Sequence, residues 1–475
     1  MKNDRFLRGQ ESRNRDVVRV RPDQLALPPV RHVHAGLLVI TLIMVCFGLV
    51  MLFSASMTDA YSSEGNALFY VLKQGSITTM GLILALFIAL ILPVGLFDHF
   101  WMTAALYVLT SALLAYVRFF GVVINGARRW VVIGGIQFQP SELAKIALVF
   151  CFAGYCSMVR RRRKAGKLRF KTPLRQFLAD GWIDILLPGV LLAVWILVIA
   201  FQPHLSFAVI MAFILVVLFL TAGIRVRSWL SAFTQLLVLL LVVVLLGSLV
   251  LGVMPAGELK NSLNETVEEN FAHVAKRLET FTNPEEASSD DRHQIRQSLI
   301  AIGSGGLTGV GLGKGRQKYN YLPEAHNDFV FAIIGEELGF LGASSIVILF
   351  LLFMLIGISI TRNAANTFCA LLAGGYTMLI SIQAFLNIGV ATETLPTTGI
   401  SLPFFSYGGT SNLFFLVAIG FILAVSRTGQ RLSSVRTLER EAKPGSEPAS
   451  RTGEDLERQA YLRSLEQENQ MAGDS

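Results

Sequence analysis

The sequence predicts an all-α polytopic membrane protein with about ten transmembrane helices and a large extracytoplasmic loop between spans seven and eight. Three observations carry this prediction. Hydrophobic residues make up 53% of the 475 and charged residues only 16%, against roughly 25% charged in an ordinary soluble domain. Mean hydropathy is +0.56. The apolar residues gather into runs of about twenty, the length that crosses a bilayer. This composition excludes a disordered chain, a disulfide-stapled secreted module and a collagen-like repeat. Cys46, Cys151, Cys156 and Cys369 lie inside apolar stretches without a CxxC pair, so they read as small buried hydrophobes.

Residues 1–34 form a polar tail with eight Lys or Arg and four Asp or Glu. The first apolar run, 35–56, exceeds a signal-peptide core and reads as a span. Further spans are predicted at 70–92, 99–119, 141–159, 183–201, 205–223, 229–254, 330–360, 366–390 and 411–426. Residues 185–224 hold no Asp, Glu, Lys or Arg, yet forty residues is too long for one crossing. The Gln202-Pro203-His204 break divides them. Glu336 and Glu337 sit near the start of the eighth span, whose first turns should face protein or water instead of lipid.

Charge sets the topology. With the N-terminus in the cytoplasm, the loop 158–178 is internal and holds nine Lys or Arg and no acid. Arg225, Arg227, Arg362 and the charged tail 427–475 also fall inside. The outer loops 57–69 and 202–204 contain no Lys or Arg. This is the positive-inside pattern with an even number of spans. It accounts for much of the net +8 without a nucleic-acid partner. The basic loop is a topology signal that can also contact anionic lipid. The chain thus divides into the tail 1–34, the ten-span domain 35–426 with its large outer loop 255–329, and the tail 427–475.

Three outer segments are polar enough for chemistry: 120–140, 255–329 and 391–410. The long loop mixes eleven acids with eight bases, and its part 291–329 is expected to fold back toward the membrane surface. Its glycine-rich run 303–315 is no Walker A loop, because Lys314 is followed by Gly315. It is either a tightly turning loop or one that approaches a head group with its backbone. His326 and Asp328 lie where this loop meets a span. Asp328 there either caps the helix or acts as a partly desolvated base. Glu142 and Lys145 are three apart at a span edge. They form a simple ion pair or a functional one, since charge there is costly. The Pro- and Gly-rich run 394–411 suggests a re-entrant loop.

Arg129-Trp130, Phe138-Gln-Pro-Ser-Glu-Leu-Ala-Lys145, Leu322-Pro-Glu-Ala-His-Asn-Asp-Phe329, Glu336-Glu-Leu-Gly339 and Leu402-Pro-Phe-Phe-Ser-Tyr-Gly-Gly409 occur in one order. Together they resemble the SEDS family (shape, elongation, division and sporulation) of bacterial peptidoglycan polymerases, over residues 30–428. The pattern is most similar to the cell-division branch, with the elongation branch as the alternative. One departure is Asn327, where the family usually has Thr.

The resemblance implies a glycosyltransferase that joins lipid II into glycan strands with inversion, releasing undecaprenyl pyrophosphate at the outer face of the inner membrane. A lipid II flippase is the competing function. Asp328 would be the base. Arg129, Glu142, Lys145 and His326 would bind substrate, with Arg129 and Lys145 offsetting pyrophosphate charge. A divalent cation, magnesium or manganese, would be held by Glu142 or Asp328; no organic cofactor is implied. The implied partners are a class B penicillin-binding transpeptidase and other division proteins, at the septum.

Overall fold

The computed structural model describes residues 33–124, 127–133, 136–202, 205–253, 289–319, 321–396 and 399–441. Among them, nine helical stretches are long and apolar enough to cross a membrane, and a shorter apolar helix makes a tenth. In chain order the first elements are α1 (Ala35–Glu64), α2 (Phe69–Leu90) and α3 (Phe100–Phe120). A small sheet follows, β1 (Val122–Ile124), β2 (Ala127–Ile133) and β3 (Ile136–Phe138). Next come α4 (Pro140–Lys164), α5 (Pro173–Gly181), a π turn at Trp182–Leu186, α6 (Leu187–Ala200), the shorter α7 (Leu205–Thr221) and α8 (Val226–Val253). The series ends with α9 (Ser289–Ser304), α10 (Val330–Arg362), α11 (Thr367–Ala391) and α12 (Thr410–Glu441).

α4, α11 and α12 form the centre of the bundle. Their apolar stretches are 78%, 67% and 78% buried, whereas that of α8 is 11% buried, so most of its apolar surface faces outward. Buried small residues let the central helices approach closely. A Cβ on Gly375 would lie 2.4 Å from Val149 Cγ1. The two ends of the bundle meet: the His34 amide donates to Ser426 Oγ at 3.2 Å, joining the start of α1 to α12. The start of α1 and this turn of α12 therefore lie at the same end of the bundle.

Four features differ from the sequence expectation. The polar stretch after α3 is an antiparallel three-stranded sheet, with Val122 opposite Trp130 and Val131 opposite Phe138. Its strands are short, so alternation over them left little periodic signal. The C-terminal boundary at 427 is not a helix end, because α12 runs on to Glu441. Cys46 is exposed on α1, while the other three cysteines are buried. Finally, α10 is not one continuous helix. Gly339 breaks it with φ 66° and ψ −164°.

Most of the tail 1–34, residues 255–288 of the large loop and residues 442–475 lie outside the described residues. The rest of the large loop does fold back. α9 packs on α10, and Ser298 donates to the Ala391 carbonyl at the end of α11, at 2.7 Å.

Candidate active site

The glycine-rich run explains how a broken membrane helix is tolerated. A break leaves backbone groups without helical partners, which is costly away from water. Here Val310 and Gly311 amides donate to the Glu336 and Glu337 carbonyls, both at 3.0 Å. Phe340 and Leu341 amides donate to the Gly306 and Leu307 carbonyls at 2.9 and 3.2 Å. The run thus bridges both sides of the gap. Gly309 fits at φ 81°, and a Cβ there would lie 2.1 Å from the Glu337 carbonyl oxygen.

The same run forms an anion cradle, and its anions are the protein's own. Arg316 donates its amide to Glu336 Oε1 at 2.6 Å, and Gly313 donates to Glu337 Oε2 at 3.0 Å. Lys318 Nζ pairs with Glu337 Oε1 at 2.7 Å, and Ser54 Oγ donates to Glu337 Oε2 at 2.6 Å. All three charged side chains are buried. Backbone amides that could have approached a head group are therefore turned onto internal carboxylates.

Directly before α10, the chain turns at Glu324, and Asn327 and Asp328 amides donate to its carbonyl. This turn presents Asp328. Phe329 is the N-cap of α10 and no side chain caps it, so the capping alternative for Asp328 fails. Its carboxylate is half-buried and receives no hydrogen bond among the described residues. A Cβ on Gly399 would stand 3.5 Å from Asp328 Oδ2, so the loop 399–402 passes beside the acid. Burial, then the neighbouring Glu324 charge, pushes the Asp328 carboxyl up to about 7.

His326 lies two residues earlier. Its ring stacks on Tyr70 with centroids 5.1 Å apart, and its carbonyl accepts from the Tyr407 amide at 2.9 Å. Asp59 Oδ2 is 4.0 Å from Nδ1. Burial lowers the His326 pKa against the opposing pull of Asp59 and Glu324. The imidazole is thus neutral at pH 7 and suits stacking or hydrogen bonding better than charge neutralisation.

At the start of α4, Pro140 occupies the first turn and orients Glu142 inward. Glu142 pairs with Lys145 at 2.9 Å, and both are buried. Lys145 also donates to Gln383 Oε1 at 2.8 Å, and its ammonium lies 4.4 Å from the Phe207 ring centroid. Lys145 is 1% exposed. It is turned into the protein, so in this structure it holds the site together instead of reaching out to a pyrophosphate. Arg129 is half-buried on β2, in the sheet that leads into α4.

Two residues that sequence reading missed connect these parts. Gln383 and Asn387 are one turn apart on α11. Gln383 Nε2 donates to the Ser401 carbonyl at 3.1 Å. Asn387 Nδ2 donates to the Ile400 carbonyl at 2.6 Å and to the Asp328 carbonyl at 2.7 Å. A buried path therefore runs from Glu142 through Lys145, Gln383, the loop 399–402 and Asn387 to the backbone of Asp328. The available signal was two amides at i and i+4 on an otherwise apolar span, where polar groups line sites more often than lipid.

A family model described as cell cycle protein, FtsW/RodA/SpoVE, matches residues 35–431. The chain belongs to the FtsW/RodA/SpoVE family. It is 32% identical over 403 residues to the "probable peptidoglycan glycosyltransferase FtsW" of Geobacter metallireducens, covering 85% of this chain and 97% of that protein. It is 34% identical over 402 residues to the "stage V sporulation protein E" of Bacillus subtilis, covering 82% and 96%. Its fold is similar to that of a chain in a peptidoglycan synthase complex described for its "structural coordination of polymerization and crosslinking". That match has TM-score 0.56 and 25% identity over 83% of this chain and 98% of the other. It is also similar to the rod shape determining protein RodA of Thermus thermophilus, with TM-score 0.54, 24% identity, and 86% and 98% coverage.

All the candidate residues of this FtsW/RodA/SpoVE member fall within the matched segment. Of the two carboxylates expected to hold a divalent cation, that of Asp328 carries no hydrogen bond among the described residues. Glu142 is engaged by Lys145. Among the described residues, no three His, Cys, Asp or Glu side chains converge on a point.

Proposed function

We propose that this multi-pass membrane protein is a peptidoglycan glycosyltransferase that polymerises lipid II during cell division, with Asp328 as its base. The observation that carries the proposal is the state of the Asp328 carboxylate. It stands on a rigidly held turn at the end of a membrane helix, with no donor among the described residues and a pKa near 7. A general base works best when its pKa lies close to the operating pH.

In this reading Asp328 takes the proton from the 4-hydroxyl of the acceptor sugar. That oxygen attacks the anomeric carbon of the lipid-linked donor. The bond to pyrophosphate breaks with inversion, and undecaprenyl pyrophosphate leaves. Arg129 is the candidate to offset the leaving charge. His326 and the Tyr70 ring offer a stacking face for sugar. Glu142 and Lys145 act by fixing the loop 399–402. The polyprenyl chains stay among the spans while the head groups meet the outer turns. The reading places the protein in the inner membrane at the septum, with both termini cytoplasmic. It gives the protein a class B penicillin-binding transpeptidase as partner, consistent with the joint polymerization and crosslinking described for the similar complex.

The test is purification of the full chain with its transpeptidase, followed by supply of lipid II. Glycan from wild type and none from Asp328→Asn is expected. Polymer from Asp328→Asn at the wild-type rate would refute the base assignment. No polymer from an intact complex would move the function to lipid II transport.

A further inference from the structure

A cavity of about 250 Å³ lies between α3, α4 and α6, away from Asp328. Its walls include Tyr107, Val108, Tyr155, Met158 and Leu191, and they are almost wholly apolar. The two tyrosine hydroxyls are already satisfied. Tyr107 donates to the Leu191 carbonyl at 3.0 Å, and Tyr155 donates to the Ile183 carbonyl at 2.7 Å. The cavity sits toward the end of the bundle nearest the basic loop after α4, because its residues come from the middle of α4, Cys151 to Met158, and the first turns of α3 and α6.

Four arginines in succession end α4, and three of them are engaged. Arg160 bonds Thr367 Oγ1 at 2.9 Å and the Ala222 carbonyl. Arg161 bonds Asp98, and Arg163 bonds both Asp180 and Asp184 at 2.7 Å. Arg162 is exposed and has no hydrogen bond or ion pair among the described residues. Cys151, Tyr155, Met158 and Arg162 are spaced by four, three and four residues, so they share one face of α4. The first three line the cavity. Arg162 lies one turn beyond Met158, about 6 Å along the axis, with its charge in electrostatic reach of the Tyr155 hydroxyl. Trp101, in the first turn of α3, and Trp182, in the π turn before α6, are 79% and 51% exposed. Exposed tryptophan at the end of a span marks the membrane interface.

We propose that this groove and Arg162 form a binding site for an anionic phospholipid of the leaflet on the basic face. One acyl chain lies in the groove and the phosphate rests on Arg162. An acyl chain gains little by leaving lipid for an apolar groove, since both surroundings are equally apolar. Selectivity must therefore come from the guanidinium and phosphate, a charge-assisted pair that arginine forms well.

The test uses the full chain purified in detergent, with phosphatidylglycerol and phosphatidylcholine of identical tails, read by native mass spectrometry. Preferential retention of phosphatidylglycerol is expected. Arg162→Gln should weaken it about tenfold, and Arg162→Lys should keep most of it. Leu191→Trp, on the exposed rim of the groove, should weaken binding with all charges intact. Arg169→Gln, elsewhere on the basic loop, should leave it unchanged. Equal retention of the two lipids, an Arg162→Gln variant that binds like wild type, or an equal loss in Arg169→Gln would overturn the site. So would preference for a polyprenyl phosphate over phosphatidylglycerol.

Discussion

The proposed role of Asp328 as a base carries a cost in stability. Its carboxyl is raised from 3.8 to about 7 in the folded chain, so the folded state binds the proton more tightly than the unfolded state does. Stability is therefore lost as pH rises from about 4 through 7. Asp328→Asn should raise the thermal midpoint at pH 8, by up to about 4 kcal/mol in stability, and this gain should vanish below pH 4. Thermal melts across pH decide it. Polymer synthesis should climb with pH through an apparent pKa near 7 and then level off, because only the carboxylate accepts a proton. A flat profile between pH 6 and 8 would contradict Asp328 as base. At this scale the sequence was informative where charge was involved. Asp328, Glu142 and Lys145 stood out because charge at the edge of an apolar span is costly. Gln383 and Asn387 did not, because an uncharged amide on an apolar helix is silent until its partner is known.

Among the elements, the broken helix α10 and its glycine bridge depend on each other. Gly309→Ala places a Cβ against a carbonyl and strains a left-handed residue, so it should cost more than about 3 kcal/mol. Gly313 has φ 79° but open space around its Cβ position. Gly313→Ala should cost only the backbone strain, about 1 kcal/mol. Equal losses of folded protein in detergent melts would refute the steric part of this account. The Lys318–Glu337 pair gives a second test. Lys318→Met leaves a buried carboxylate and should cost about 3–5 kcal/mol. Adding Glu337→Gln should recover part of that loss, a coupling measurable by a double-mutant cycle. The glycine run was legible as a tight turn. Its occupant was not, since Glu336 and Glu337 lie more than twenty residues downstream and the pairing is purely tertiary.

For the molecule as a whole, the ten crossings were readable from length, hydropathy and the placement of Lys and Arg. The break in α10 was not, because Gly339 sits in an apolar run that satisfies a span by composition alone. The sheet after α3 escaped for the opposite reason, since three-residue strands carry no usable period. The topology predicts that a membrane-impermeant thiol reagent applied to intact spheroplasts modifies Glu64→Cys and spares Lys167→Cys in a chain lacking its exposed Cys46. The reverse pattern would invert the protein.

The bridge across Gly339 also bears on how such a chain enters the bilayer. Residues 306–311 precede the gap they close by about thirty positions. Synthesis runs from the N-terminus, at about 5–20 residues per second. The missing donors and acceptors therefore emerge from the ribosome before the interrupted span does. A helix with a gap can be released into lipid because its repair is already waiting at the surface. The order of the two segments in the chain is itself part of the assembly instruction, and exchanging them would leave every native contact possible but deliver the span first, unmended.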